Sequence, residues 1–209
     1  MFDLADLNDS QLDFLRELEN IGAAHAATAL SQMLDSRVSL ELPRARFCGI
    51  NAMLELLDGP ENILAATLMP LSGDINGFIL VIQQERDAHT LSEYAAALIG
   101  EKAKAPNSGF SNMQLSAIME LSNILAGSYI SAVCSLTGMS VKMSAPSFAL
   151  DMAGSIMSIA SVAGDSGDEA LFLETVFSSG SPDIGGRIYL MPDPPSCRRL
   201  ILGMERQLK

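Results

Sequence analysis

Two strings in this chain are near copies: Glu17-Leu18-Glu19-Asn20-Ile21 returns 103 positions later as Glu120-Leu121-Ser122-Asn123-Ile124. At that offset residues 7–43 align with residues 110–146 without a gap, and ten of the 37 positions are identical. Unrelated segments of ordinary composition would share about two. Such a chain is constrained to two versions of one pattern. The expected layout is a single domain over 1–209, with repeats at about 7–99 and 110–206 and a hinge over 100–109. Most shared positions are apolar or structural, which a duplicated fold explains unaided. Glu17/Glu120 and Asn20/Asn123 are the charged and amide exceptions, and function is sought there first.

Each copy opens with the same helix-start chemistry. Asn8 and Ser111 suit an N-cap, and Gln11 and Gln114 stand three residues on, as a capping box requires. Leu7 and Phe110 precede the caps, opposite Leu12 and Leu115 in the positions of a hydrophobic staple. At about 100° per residue, Phe14, Leu15, Leu18, Ile21 and Gly22 share one side of the first helix. Ala117, Ile118, Leu121, Ile124 and Leu125 do so in the second. Asp13, Glu17 and Asn20 fall on a different stripe, and Ser116, Glu120 and Asn123 repeat it. The polar triplets are therefore expected to face solvent.

Alternation predicts strands at 37–42 and 140–145, each meeting a proline, and further strands at 62–70, 77–83, 155–162, 171–178 and 187–191. Helices are expected at 52–58, 87–99 and 194–206. Asp74-Ile75-Asn76-Gly77 resembles Asp183-Ile184-Gly185-Gly186 at an offset of 109, so about six extra residues belong to the second half. The fold class is α/β in the layered α+β sense. Two pseudo-symmetric halves would share a mainly antiparallel sheet, with paired long helices carrying the motifs.

A formal charge of −12 argues against nucleic acid as a partner, since nothing would neutralise phosphates. Cys48, Cys134 and Cys197 have no paired spacing and read as small buried apolar residues, not as a disulfide or zinc framework. The first residues are acidic and lack the regions of a signal peptide, and no uninterrupted apolar run approaches the ~20 residues of a spanning helix. A cytoplasmic protein without membrane insertion is expected. Gly164-Asp165-Ser166-Gly167 imitates part of a serine protease signature but reads as an acidic turn. Met139, Met143, Met152 and Met157 read as core filling. His25 reads as packed or capping, and His89 as structural.

The pattern Asp/Ser-x3-Glu-x2-Asn, present twice, resembles the CheC/CheX/FliY family of bacterial chemotaxis phosphatases. The matches are Asp13–Glu17–Asn20 followed by Ile21-Gly22-Ala23, and Ser116–Glu120–Asn123 followed by Ile124-Leu125-Ala126-Gly127-Ser128-Tyr129. Length and two intact motifs fit the CheC branch. The resemblance implies hydrolysis of the aspartyl phosphate on a phosphorylated CheY-like receiver. Asn20 and Asn123 would orient the attacking water, Glu17 and Glu120 would engage the receiver's active-site lysine, and Asp13 and Ser116 would support them. It implies no cofactor or metal of the chain's own, the Mg2+ belonging to the receiver, and it brings in the receptor deamidase CheD as a further partner. The alternative is a non-catalytic module that binds a receiver or CheD in chemotaxis or flagellar switching. Ala24-His25 departs from the family's Gly-Asn continuation, which places more weight on Glu120 and Asn123 than on Glu17 and Asn20.

Overall fold

A computed structural model describes residues 9–41, 44–98, 110–163, 169–180 and 183–207. In chain order they form α1 (Asp9–Leu34), β1 (Val38–Leu40), β2 (Arg44–Gly49), α2 (Ile50–Leu56), β3 (Ile63–Gly73), β4 (Gly77–Gln84) and α3 (Glu85–Leu98). Then come α4 (Asn112–Thr137), β5 (Val141–Met143), β6 (Ser147–Met152), α5 (Ala153–Ala163), β7 (Glu169–Gly180), β8 (Asp183–Pro192) and α6 (Pro194–Gln207). The second seven elements repeat the first seven in kind. From α1 through the start of α2, each element recurs 103 residues later, whereas α6 follows α3 at 109. Part of the difference is the longer α5, of 11 residues against 7 in α2.

All strand pairs are antiparallel, in the order β1-β7-β8-β4-β3-β5, with β2 also on β7 and β6 also on β3. Exchanging the halves reverses this order onto itself. The pseudo-dyad passes between β4 and β8 at the pair Leu80↔Tyr189, two positions that are themselves 109 apart. The first strands of each half are traded: β1 and β2 lie on β7, while β5 and β6 lie on β3.

Both sheet faces are covered, so the central strands are continuous apolar runs such as the buried Phe78–Leu80–Ile82 segment of β4. Ile79, Val81, Leu173, Ile188 and Leu190 pack under α1 and α4 against Leu15, Leu18, Leu30, Tyr129 and Val133. Leu80, Ile82, Phe172 and Tyr189 face the other way, toward Met53 and Leu57 near α2 and Ile156 and Met157 of α5. On that face one half carries charge where the other does not. Glu174, 5% exposed, accepts a 2.8 Å hydrogen bond from Tyr189 Oη and lies 3.4 Å from Arg46 Nε and 3.7 Å from Arg187 Nε. Burial first, and then the Glu174 carboxylate, push the Tyr189 phenol upward. At the matching place Leu80 pairs with Leu68.

Several sequence expectations need correction. Residues 155–162 are helical, within α5, not a strand. Ile156, Ile159 and Val162 bias the eye toward β structure, but Ala153, Ile156 and Met157 are buried while Ser158 and Ile159 are exposed, a helical spacing. β2 and β6 are strands that alternation did not reveal. Cys197 is buried, whereas Cys48 and Cys134 are only partly so. His25 is exposed on α1 and so is not a packed residue. His89 stacks on Phe110 with ring centroids 4.1 Å apart. The 100–109 hinge, Leu7, Asn8 and the 164–167 turn lie outside the described residues.

Candidate functional site

The second motif helix begins as its sequence dictates. Ser111 Oγ accepts from Gln114 N at 3.1 Å, and Gln114 Oε1 accepts from Ser111 N at 2.8 Å, so the capping box is complete. It ends on Gly138 at φ 69, whose amide donates to Cys134 O, a left-handed stop that suits glycine. Between these ends Ile118, Leu121 and Leu125 are buried and fix the helix on the sheet. Ser116 and Glu120 are exposed and Asn123 is half-buried. On α1, Leu15 and Leu18 are fully buried, and Asp13, Glu17 and Asn20 are all exposed.

In each stripe the carboxylate and the amide stand three residues apart, which puts them on adjacent turns of one helix face. Among the described residues no hydrogen bond or ion pair engages Glu17, Asn20, Glu120 or Asn123. Their polar groups are therefore available to an external partner. Asp13 is differently placed: Arg16 Nη1 donates to its Oδ1 at 2.8 Å, an exposed pair. Ser116 has no such neighbour in sequence, because Met119 occupies the position of Arg16.

Two supporting contacts escaped the sequence reading. Ser122, inside the second string, is buried and donates to Thr67 Oγ1 of β3 at 3.1 Å. It pins α4 to the sheet immediately beside Asn123. The available signal was its position in line with Ile118 and Leu125, which made it the polar residue of a buried face. On α1 the corresponding anchor is a close approach. A Cβ on Gly22 would lie 2.9 Å from Tyr129 Cε2 of α4, so the glycine two residues beyond Asn20 is what admits that ring.

Among the described residues no three His, Cys, Asp or Glu side chains converge as a metal site. α4 is long and apolar enough to cross a membrane by length and composition, with 50% of its most apolar window buried inside the fold.

Two long helices over a pseudo-two-fold, strand-exchanged antiparallel sheet, each carrying a carboxylate and an amide with no partner among the described residues, define an α+β protein of two like halves. Comparison with known proteins agrees. The chemotaxis phosphatase CheX family matches residues 65–164. The CheY-P phosphatase CheC of Bacillus subtilis (strain 168) is 29% identical over 206 residues, covering 97% of each chain. Among solved structures, Thermotoga maritima FliY superposes with a TM-score of 0.72 at 15% identity, over 97% of this chain and 99% of that one. CheX in a CheX–CheY–BeF3–Mg2+ complex from Borrelia burgdorferi superposes with a TM-score of 0.50 at 19% identity, over 84% of this chain and 96% of that one. The chain is thus similar to the CheC/CheX/FliY group of chemotaxis phosphatases, in sequence over nearly its whole length and in fold.

Proposed function

We propose that this protein hydrolyses the aspartyl phosphate of a CheY-like receiver, with Asn20 and Asn123 orienting water and Glu17 and Glu120 engaging the receiver's lysine. The observation that carries this reading is the pair of stripes, exposed except for the half-buried Asn123, whose carboxylates and amides have no partner among the described residues. Support comes from a similar protein named for acting on CheY-P and from a protein of like fold solved in a complex with CheY, beryllofluoride and magnesium.

The chemistry asks little of the chain. An acyl phosphate already carries a good leaving group, so neither a nucleophile nor a strong base is needed. A carboxamide both donates and accepts hydrogen bonds, and can hold a water in line with the breaking P–O bond. Glutamine performs this task in GTPases. A rate factor of 10²–10³ corresponds to about 3–4 kcal/mol of transition-state stabilisation. The magnesium that neutralises the phosphoryl group belongs to the receiver in this scheme. Receivers of this kind place the reaction in the cytoplasm.

The test is single-turnover loss of phosphate from a phosphorylated receiver with wild type, Asn20→Ala, Asn123→Ala and the double variant. The double variant should fall to the receiver's own rate. Full activity in that variant would refute the mechanism. Tight receiver binding by wild type with no acceleration would instead support a non-catalytic module, and the same assay with CheD present tests that protein as a regulator.

A further inference from the structure

Beyond Asn123 the α4 stripe runs into an open groove. Gly127, Ser131 and Cys134 continue the line of Ser116, Glu120 and Asn123 at steps of three or four residues and, with Ile130, form one wall. Met139 and Met143 stand opposite, and the groove encloses about 440 Å³. Its near end is one helical turn past Asn123, about 6 Å along the axis. β5 runs close beside the helix there, since a Cβ on Gly127 would come within 3.8 Å of Met143 Cε. The two methionines are thus only partly the core filling expected of them: they pack on the core and also line this groove.

The matching surface of α1 is different. Ala24, Thr28 and Ser31 stand where Gly127, Ser131 and Cys134 do, and Ser36 stands for Met139. Ser31 Oγ accepts from Val38 N at 3.1 Å, and the Ser36 and Ser179 hydroxyls meet at 3.2 Å. Where Ser31 and Ser36 are engaged in hydrogen bonds in the first half, Cys134 and Met139 line the groove in the second.

We infer that this groove receives an apolar side chain of the phosphorylated receiver while Glu120 and Asn123 address its phosphoryl site, which makes the second site the more selective of the two. This rests on reading Glu120 and Asn123 as a receiver site. A docked protein covers about 800 Å² of its partner, far more than two side chains present. A receiver centred on Asn123 therefore extends over the next turn of α4. A concavity lined by Ile130, Cys134, Met139, Val141 and Met143 inside such a footprint is where binding energy concentrates, because a side chain seated there gives up much of its water.

The experiment uses an Asn20→Ala background, in which only the second site would turn over, and measures steady-state dephosphorylation of the receiver. Cys134→Phe and Ser131→Phe fill the groove from its rim. Each should raise KM for the phosphorylated receiver about ten-fold and leave kcat unchanged. In the same background, N-ethylmaleimide should modify Cys134, and receiver loaded with beryllofluoride should slow that reaction at least five-fold. Peptide mass spectrometry separates Cys134 from Cys197, whose thiol burial pushes up to about 12. Unchanged KM in both variants, or labelling indifferent to the receiver, overturns the inference. So does protection of Cys134 by raising the concentration of this protein alone, which would make a second copy the occupant. Adding Asn123→Ala separates the two levels. Retained activity there refutes the site itself, whereas lost activity with an unchanged KM in the groove variants refutes the groove alone.

Discussion

The stripes on α1 and α4 carry the same carboxylate and amide, yet they are held by different means. α4 starts on a complete capping box, is bonded to β3 through Ser122, and opens onto a groove faced by Met139 and Met143. α1 is fitted to its partner helix through Gly22, and its stripe begins with an aspartate already engaged by Arg16. The two halves share the proposed reactive groups while their supports differ. The proposed chemistry asks only for an amide and a carboxylate one turn apart; positioning can be achieved by packing, by a buried hydrogen bond or by a cap.

The largest expected effect breaks the comparison at the amides. Asn123→Ala should lower receiver dephosphorylation more than Asn20→Ala, and the double variant should lose 10²-fold or more in single-turnover rate. The reverse ranking would overturn the greater weight placed on the second stripe. Next is the support beneath α4. Ser122→Ala leaves the Thr67 hydroxyl buried without its partner and should cost about 1–2 kcal/mol in urea unfolding. Its activity loss should fall on the second site, so it should be visible in Asn20→Ala and faint in Asn123→Ala. Gly22→Ala probes the other support. Overpacking against the Tyr129 ring costs ~1–3 kcal/mol, and the helix preference for alanine over glycine returns ~1 kcal/mol. A net loss of up to ~2 kcal/mol should appear as a lower unfolding midpoint; a gain would show that the ring moves aside freely. The smallest effect is Arg16→Ala. It removes an exposed pair and should change stability by less than ~0.5 kcal/mol, with the rate at the first site unaltered if Asp13 is only a surface group.

Much of this was legible in the residues because it is written in local periods. The 103-residue offset marks α1 with α4 and β1 with β5, and Ser111 with Gln114 announces the capping box that is present. The exposure of Glu17, Asn20 and Glu120 follows from their angular distance to Leu18 and Leu121. What was not legible depends on partners distant in sequence. Nothing in Arg44–Gly49 says that it pairs with Glu169–Glu174 of the other half, and its missing alternation hid the strand as well. In α5 the β-branched residues obscure the three-and-four spacing that burial of Ile156 and Met157 makes plain. Ser122 and Thr67 are 55 residues apart, and no local pattern joins them.

The pair Leu80↔Tyr189 at the pseudo-dyad shows what joining the halves in one polypeptide permits. Two separate identical copies meeting on that axis would have to place the same residue on both sides, and every mutation would enter twice. Two tyrosines would crowd one another, and each would call for its own buried carboxylate. Here one side keeps Leu80 beside Leu68 while the other builds Tyr189 onto Glu174. Each position is inherited separately. One half can therefore drift, specialise or fall silent while its twin continues to hold the sheet that both require.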